Sequence, residues 1–238
     1  MPESEAVAIV SDLHANIYAL EAFLTYLRDY PEVTRILNLG DFVQIGPHPK
    51  QTAEIVLNDQ RFVNIVGNNE AAVIDQDVSS PNPWRAHTEW TIAELGPDLV
   101  HRIRGLPQTV ALTLGEKKVM LVHSRPSSTK DLPLLYQGKP LDDFLEDYDA
   151  EVDYVLFGHT HYPALIDNGK GKIAINPGSL GCSKESTMSF CLAKIEAGEV
   201  SFVFKNVRYD SIRLRDDYLR LAVPHAKLLL GWFFGIAI

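Results

Sequence analysis

Five short apolar segments of this chain each end in side chains that can bind a metal ion. The first segment, residues 6–10, leads directly into Asp12 and His14. A run of branched apolar residues this short is typical of a buried strand rather than a helix. Open α/β sheets bind their ligands at the carboxyl ends of such strands. The segment therefore predicts an α/β fold with a site at this edge.

Taken alone, the first segment has a second interpretation, in which Asp12 caps the next helix and His14 is an ordinary loop residue. Repetition of the pattern favours the metal site. Further apolar runs at 36–39, 62–66, 119–122 and 154–157 end in the same way, and they deliver Asp41, Asn68, His123, His159 and His161. The five predicted strands thus bring seven oxygen and nitrogen ligands to one edge of a sheet.

The second strand ends in Gly40 and Asp41. A glycine lets the backbone turn sharply, and an aspartate placed directly after it can offer its two carboxylate oxygens to two different ions. In the alternative interpretation Asp41 is an ordinary turn residue. Only the presence of other predicted ligands at the same sheet edge argues against it.

Length and composition predict one domain over residues 1–238. The chain is 46% hydrophobic, which is enough for one substantial core, and no linker or low-complexity tract divides it. Within this domain we expect a small helical insertion at about 71–106 and an apolar C-terminal helix within about 211–238. A further helix is expected from Leu141 onward.

The charge balance argues against a basic binding surface. Acidic residues outnumber basic ones by 31 to 22, a formal net charge of −9, so nonspecific binding to nucleic acid or to an anionic membrane is not expected. Phosphate chemistry stays open because bound metal ions supply local positive charge. The two cysteines are expected to be reduced thiols, and the absence of a signal peptide pattern predicts a cytoplasmic protein.

Several loop residues lie near the predicted site without a clear role. His48 could touch a substrate, but a solvated loop histidine is the favoured interpretation. Trp84, Arg85 and His87 could shape access to the site, although aromatic residues at helical spacing more often belong to a core. Arg125 is either a phosphate clamp, since its fork matches two phosphoryl oxygens, or a surface arginine.

The C-terminal run at 228–238 is almost wholly apolar but only eleven residues long. A membrane span needs about 20 such residues, so we expect no membrane span. A terminal helix packed on the body or a contact between subunits fits better, which makes a homodimer a reasonable expectation.

The ordered series of motifs resembles the calcineurin-like metallophosphoesterase superfamily, and within it the small bacterial and archaeal phosphodiesterase branch. The motifs are Asp12-x-His14, Gly40-Asp41, Gly67-Asn68-Asn69-Glu70, His123 and Gly158-His159-Thr160-His161. The resemblance covers residues 6 to about 207. It implies two stacked β-sheets flanked by helices in a four-layer sandwich, with a two-metal site at one end.

The resemblance also implies which residues bind each of the two metal ions. Asp12, His14 and His161 would hold one divalent transition metal, and Asn68, His123 and His159 would hold the second, with Asp41 bridging them. Manganese is the expected metal, and iron, zinc or nickel would also suit these ligands. A hydroxide bridging the two ions would then attack a small phosphoester substrate directly.

One position departs from the family pattern. The family usually has a histidine after the glycine and asparagine, and that histidine protonates the leaving oxygen, whereas this chain has Asn69. An amide donates a hydrogen bond but cannot transfer a proton at neutral pH, so the general-acid contribution, typically about 10² to 10⁴ in rate, is lost there. We therefore expect phosphodiester hydrolysis, with slow phosphomonoester hydrolysis as a neighbouring activity.

Two other functions fit the sequence less well than an esterase. A noncatalytic scaffold of the same fold would use the site edge to bind protein partners, but it has no evident need for seven ligands. A metal-dependent amidase also uses histidine and aspartate clusters, but its His-x-His pair lies on the first strand rather than on the last of the five.

Overall fold

Ten strands and six α-helices make up most of the chain that the computed structural model describes, which is residues 5–76, 84–133, 148, 151–167 and 169–237. The strands are β1 (Glu5–Val10), β2 (Val33–Asn38), β3 (Phe62–Asn64), β4 (Thr109–Leu114), β5 (Lys117–Val122), β6 (Tyr154–Leu156), β7 (Ala164–Asp167), β8 (Ile173–Asn176), β9 (Thr187–Glu196) and β10 (Glu199–Arg208). The helices are α1 (Ile17–Tyr26), α2 (Pro49–Asn58), α3 (Asn68–Ile74), α4 (Trp84–Arg104), α5 (Ser211–Arg220) and α6 (Ala226–Leu229).

The strands form two mixed sheets of five strands each. The first has the order β10-β9-β1-β2-β3 and the second the order β4-β5-β6-β8-β7. Strands β1, β2 and β3 run parallel, as do β5, β6 and β8, so each sheet gathers three carboxyl ends at one edge. The predicted pair of stacked sheets flanked by helices is confirmed.

Strand β1 is buried on both faces, which explains its unbroken apolar sequence. Val7 and Ile9 face the second sheet, where they pack among residues of β5 and β6. The alternate residues Ala6, Ala8 and Val10 face the helices that cover the first sheet. Because side chains alternate along a strand, β1 contributes to the inter-sheet core and to the helical layer together.

The region expected to be a helical insertion contains α3 and α4. Helix α4 bends at Gly96, whose φ is 71°, immediately before Pro97. Beyond the bend, Leu99 and Ile103 are buried in the same core as the helices of the first sheet. Leu95, before the bend, is buried in this core too, so both halves of α4 pack on the body of the fold. The helix expected from Leu141 onward lies outside the described residues, apart from Tyr148.

The C-terminal region is divided rather than being one continuous helix. Helix α5 ends at Arg220, and α6 begins only after His225, which adopts a left-handed conformation at φ 59°. A turn of π-helix over Leu230–Phe234 follows and ends at Gly235. Leu229, Leu230 and Phe234 are buried against the body. None of the described helices combines the length and apolar character that crossing a membrane requires.

Candidate metal centre

The loop after β1 holds its two predicted ligands in an uncommon backbone conformation. Asp12 and His14 both have positive φ, at 55° and 48°. Three backbone hydrogen bonds to the loop after β2 support this path: Asp12 N to Gly40 O at 3.0 Å, His14 N to Asp41 O at 2.9 Å, and Ala15 N to Phe42 O at 3.0 Å. Strained residues persist only where their surroundings fix them, which is a common property of functional sites.

The loop after β2 requires a glycine at its first position. Gly40 has a φ of 92°, and a Cβ there would lie 2.5 Å from Gly67 N. The sharp turn allows the loops after β2 and β3 to approach closely. Asp41, at φ 58°, then points its carboxylate into the site, where Oδ1 accepts a hydrogen bond from Asn69 N at 2.8 Å.

The Glu70 carboxyl ties these two loops together. It is fully buried, and it accepts hydrogen bonds from the backbone N–H groups of Asp41 at 2.7 Å, Phe42 at 2.8 Å, Val43 at 3.1 Å and Gly67 at 2.9 Å. In the sequence, only its position three residues after Gly67 indicates this role, since a glutamate there reaches back to the helix cap.

Seven side chains from these loops and from the second sheet converge, and we call them the polar cluster: Asp12, His14, Asp41, Asn68, His123, His159 and His161. In one half, His14 Nε2 lies 2.9 Å from His161 Nε2, and Asp12 Oδ1 lies 3.6 Å from the first and 3.4 Å from the second. Asp12 Oδ1 is buried and accepts no hydrogen bond from the described residues.

In the other half of the polar cluster, Asn68 Oδ1 lies 3.0 Å from His123 Nε2 and 2.8 Å from His159 Nδ1. Asp41 Oδ2 lies 3.3 Å from His123 Nε2. Asp41 also belongs to a second close group with Asp12 and His14, in which the ligand atoms lie within 4.8 Å of one another. Asp41 thus borders both halves.

The donor atoms of the polar cluster fit divalent metal ions. Carboxylate and amide oxygens converge with imidazole nitrogens, and a buried carboxylate oxygen without a hydrogen bond costs free energy unless a cation approaches it. Cys182 Sγ lies near His14 and His161, but burial raises the pKa of this thiol well above its usual range. Its protonated form is a poor ligand.

Electrostatics within the polar cluster favour ionised aspartates. Burial alone would raise the pKa of Asp12, but the neighbouring His161 and His14 hold it well below its usual range. Burial alone would lower the pKa of His123, but the Asp41 carboxylate raises it to about 10. His123 Nδ1 lies 2.6 Å from the Leu39 carbonyl, to which it can donate, and this contact leaves Nε2 facing the site.

The turn-rich loop at 176–181 packs against the backbone of the polar cluster loops. Ser179 Oγ donates to the Asp12 carbonyl at 2.7 Å, and Gly181 N donates to the same oxygen at 3.0 Å. Asn176 Nδ2 donates to the Gly158 carbonyl at 2.8 Å. These contacts join the loops of the two sheets that carry the polar cluster into one framework.

Asn69, at the position where the family usually has a histidine, is buried beside the polar cluster. Its Nδ2 donates to Asp41 Oδ2 at 3.1 Å and lies 3.2 Å from His14 Nδ1. The Asn69 amide therefore lies between the two halves of the polar cluster.

The interpretation of His48 as a solvated loop histidine was wrong. His48 is buried, and its Nε2 lies 2.8 Å from Asp217 Oδ2 on α5. His87 is also buried, and its Nε2 accepts a hydrogen bond from Ile45 N at 2.7 Å. Burial lowers the pKa of His87 to about 4. Neither ring lines the cavity described next.

A cavity of about 570 Å³ opens beside the polar cluster. Its described lining includes Trp84, as considered from the sequence, but it does not include Arg125, whose role as a phosphate clamp stays a prediction. The lining cations are Lys130 and Lys184. Trp232 and Phe233 of the C-terminal turn also face the cavity, and the apolar character of the tail alone did not indicate this position.

Comparison with known proteins agrees with this architecture. Residues 6–198 match the family model for the calcineurin-like phosphoesterase superfamily domain. An uncharacterised protein of Methanocaldococcus jannaschii is 25% identical to this chain, and the match covers 94% of this chain and 98% of that protein.

Two solved structures are similar over nearly their whole length. A metallophosphoesterase from Sphaerobacter thermophilus has a TM-score of 0.71 at 24% identity, covering 94% of this chain and 98% of that one. A hypothetical protein from Pyrococcus horikoshii has a TM-score of 0.79 at 20% identity, covering 98% and 99%. These likenesses support the fold, and the family match extends over most of the chain. The chain belongs to the calcineurin-like phosphoesterase superfamily.

Proposed function

We propose that this protein hydrolyses phosphodiesters with the help of two divalent transition metal ions held by the polar cluster. Asp12, His14 and His161 would hold one ion, Asn68, His123 and His159 the other, and Asp41 both. The observation that carries the proposal is the buried oxygen Asp12 Oδ1, which accepts no hydrogen bond from the described residues while two imidazole nitrogens lie within 3.6 Å.

The ions, when bound, would lower the pKa of a water molecule and offset negative charge on the phosphoryl group. Manganese is our first choice, and iron, zinc or nickel would suit the same nitrogen and oxygen ligands. The protein itself would fix the positions of the metal ligands. Because Glu70 and the loop at 176–181 hold the ligand backbone by hydrogen bonds, the carboxylates need little rearrangement when a substrate binds.

Two lysines place positive charge in the cavity of an otherwise acidic protein. Lys130 and Lys184 line the cavity, although the chain as a whole has a formal net charge of −9. Cations inside a cleft concentrate the field there and attract an anionic ester.

The preference for diesters rests on what lies near the leaving group. Asn69 lines the cavity and donates a hydrogen bond, but an amide cannot protonate a leaving oxygen. Among the described residues, the histidines that line the cavity are His14, His159 and His161, all proposed ligands. A substrate whose leaving group departs without protonation is therefore favoured, and a diester with an acidic leaving alcohol meets this condition.

The test combines metal content with turnover. The purified protein is analysed for transition metals by mass spectrometry and is then assayed with bis(p-nitrophenyl) phosphate and p-nitrophenyl phosphate in the presence of manganese. We expect bound metal and faster hydrolysis of the diester. Asp41→Asn should abolish turnover, and it keeps a residue type that tolerates positive φ.

Asp29→Asn is the matched control because it removes the same charge from an exposed position in the helical turn after α1, outside the cavity lining. It should leave metal content and turnover unchanged. Metal binding without turnover of either ester would contradict the proposed activity and favour the noncatalytic scaffold. Faster hydrolysis of the monoester would contradict the diester preference alone.

A further inference from the structure

The cavity has an aromatic side that the chemistry of the polar cluster does not use. Trp84, Tyr162, Trp232 and Phe233 line it, and we call these four residues the aromatic wall. Trp84 begins α4, Tyr162 directly follows the ligand His161, and the other two lie in the C-terminal π-helical turn. Three separate parts of the chain therefore place rings around one opening.

The rings of the aromatic wall continue outward from the polar cluster. The Phe233 ring centroid lies 6.3 Å from that of His14 and 6.2 Å from that of His161. Trp84 lies 6.0 Å from Phe233, and Trp232 lies a further 6.4 Å from Trp84. The rings therefore form a continuous series from the polar cluster along one side of the cavity, where they are available to a ligand bound there.

Burial does not explain the outer members of the aromatic wall. Trp232 is 56% exposed and Tyr162 is 72% exposed, although both are large amphipathic side chains. Exposed aromatic residues that border a cavity frequently mark a binding site.

The turn that carries Trp232 and Phe233 is anchored on its other side. Leu230 and Phe234 are buried, and the Phe234 ring lies 5.8 Å from Tyr218, whose hydroxyl donates to the Ile45 carbonyl at 2.7 Å. Ile236 N donates to Leu230 O at 3.1 Å and closes the turn. Because one face is fixed in the core, the opposite face presents its rings in a set position. Turns of π-helix of this kind often occur at functional sites.

The charge and the size of the cavity restrict the class of ligand that it can bind. Lys130 and Lys184 lie in the same lining, so an anionic group fits beside the rings. The cavity of about 570 Å³ suits a small molecule. A net charge of −9 disfavours a long polynucleotide, which needs a basic track for its phosphates. A small anionic ester with one planar aromatic group satisfies all three conditions.

We propose that the aromatic wall selects nucleotidyl phosphodiesters, whose base stacks on Trp232 and its neighbours while the phosphate lies at the polar cluster. This inference rests on the proposed function and adds a substrate class to it. Stacking suits the wall because every nucleobase has a flat face, and tryptophan offers the largest ring for it.

The experiment compares two esters that share a leaving group. Thymidine 5′-(p-nitrophenyl phosphate) carries a base, whereas methyl p-nitrophenyl phosphate carries none, and the measured quantity is the ratio of their kcat/KM values. We expect the wild-type protein to prefer the thymidine ester. Trp232→Ala should lower the ratio about 10-fold or more, and Trp232→Phe should restore most of it because a ring is retained.

Ile212→Ala is the matched control, since it removes an exposed apolar side chain from α5, outside the cavity lining. It should leave both kcat/KM values unchanged. An unaltered ratio in Trp232→Ala, or an equal fall for both esters, would overturn the stacking role.

Failure of the esterase activity itself is recognised separately. If the wild-type protein hydrolyses neither ester, the proposed function is wrong, and the wall is then tested by isothermal titration of thymidine 5′-monophosphate against methyl phosphate. Tighter binding of the nucleotide that Trp232→Ala weakens about 10-fold would support the stacking role. Equal binding of the two phosphates would overturn it.

Discussion

The polar cluster and the aromatic wall border the same cavity but are built in different ways. The residues of the polar cluster lie on strand-end loops that are buried, left-handed in places and joined by backbone hydrogen bonds. The rings come from the start of a helix, one loop residue and a terminal turn, and two of them are more than half exposed. Bond-making chemistry demands positions fixed by the body of the fold, whereas selection among substrates tolerates peripheral elements.

The largest effect that would sharpen this comparison is expected from Asp12→Asn. The variant keeps the shape of the side chain and a residue that tolerates φ of 55°, but it removes the charge next to two imidazoles. We expect metal content to fall and kcat/KM for the diester to drop by more than about 100-fold. This loss would exceed the one that is typical of residues that only hydrogen-bond to metal ligands. Mass spectrometry and steady-state kinetics measure both.

The same measurements on Trp232→Ala provide the contrast, since the aromatic wall should not affect metal content. Full metal occupancy in Asp12→Asn would show that the polar cluster does not depend on this carboxylate.

A smaller loss is expected from Glu70→Gln, which tests the framework behind the ligands. The amide keeps one acceptor oxygen, but its NH₂ group would face backbone N–H donors that the second carboxyl oxygen now satisfies. We expect metal affinity to fall about 10- to 100-fold and the free energy of unfolding to fall by about 2 kcal/mol or more. Isothermal titration and urea unfolding of the metal-free protein test these values.

Glu54→Gln, on the exposed face of α2, is the matched control and should change neither quantity. Wild-type metal affinity in Glu70→Gln would show that the ligand loops hold their positions without this carboxyl.

The stability of the protein should fall in acid because of His87, which lies on α4 three residues after Trp84 of the aromatic wall. Its folded-state pKa is lowered to about 4 by burial, and its Nε2 accepts from Ile45 N beside the cavity. Since an unfolded histidine titrates near about 6.5, the unfolded state takes up the proton first as the pH falls. The stabilising contribution is therefore complete above about pH 6.5 and is lost progressively toward pH 4, by up to about 3 kcal/mol.

His87→Gln removes the titrating group, so its free energy of unfolding should fall less than that of the wild type between pH 7 and pH 4.5. Urea unfolding at several pH values measures the difference. His101→Gln changes an exposed histidine and should follow the wild-type curve. Parallel curves for His87→Gln and the wild type would contradict the buried neutral ring.

The smallest effect concerns the bend in α4, which carries Trp84 to the aromatic wall. Gly96 has φ of 71°, and a Cβ there would meet nothing within 4 Å, so Gly96→Ala tests backbone strain without a steric clash. Because ψ is 168°, Gly96 lies in a region that almost only glycine occupies, and we expect a loss of about 2 kcal/mol in the free energy of unfolding. Gly231→Ala also enters open space but without positive φ, and it should cost less. Equal costs would argue against strain at Gly96.

The predicted ligands were accessible from sequence because each one directly follows a short apolar run. Strands buried on both faces leave a continuous apolar signature, and parallel strands deliver their ends to one edge. The prediction for His48 was wrong, because its turn-rich loop indicated solvent exposure. The structure buries it against Asp217, which is 169 positions later in the chain, and no local pattern reports such a contact.

The residues by themselves predicted an α/β fold and the order in which the polar cluster residues follow its strands, because strand burial and strand ends are visible in local periodicity. The pair of stacked sheets was implied only by the resemblance to a known family. Only the tertiary structure decided that Glu70 joins two loops and that a terminal turn lines the cavity. Both depend on contacts between distant segments, and these are set by how the helices and sheets pack rather than by any pattern within one segment.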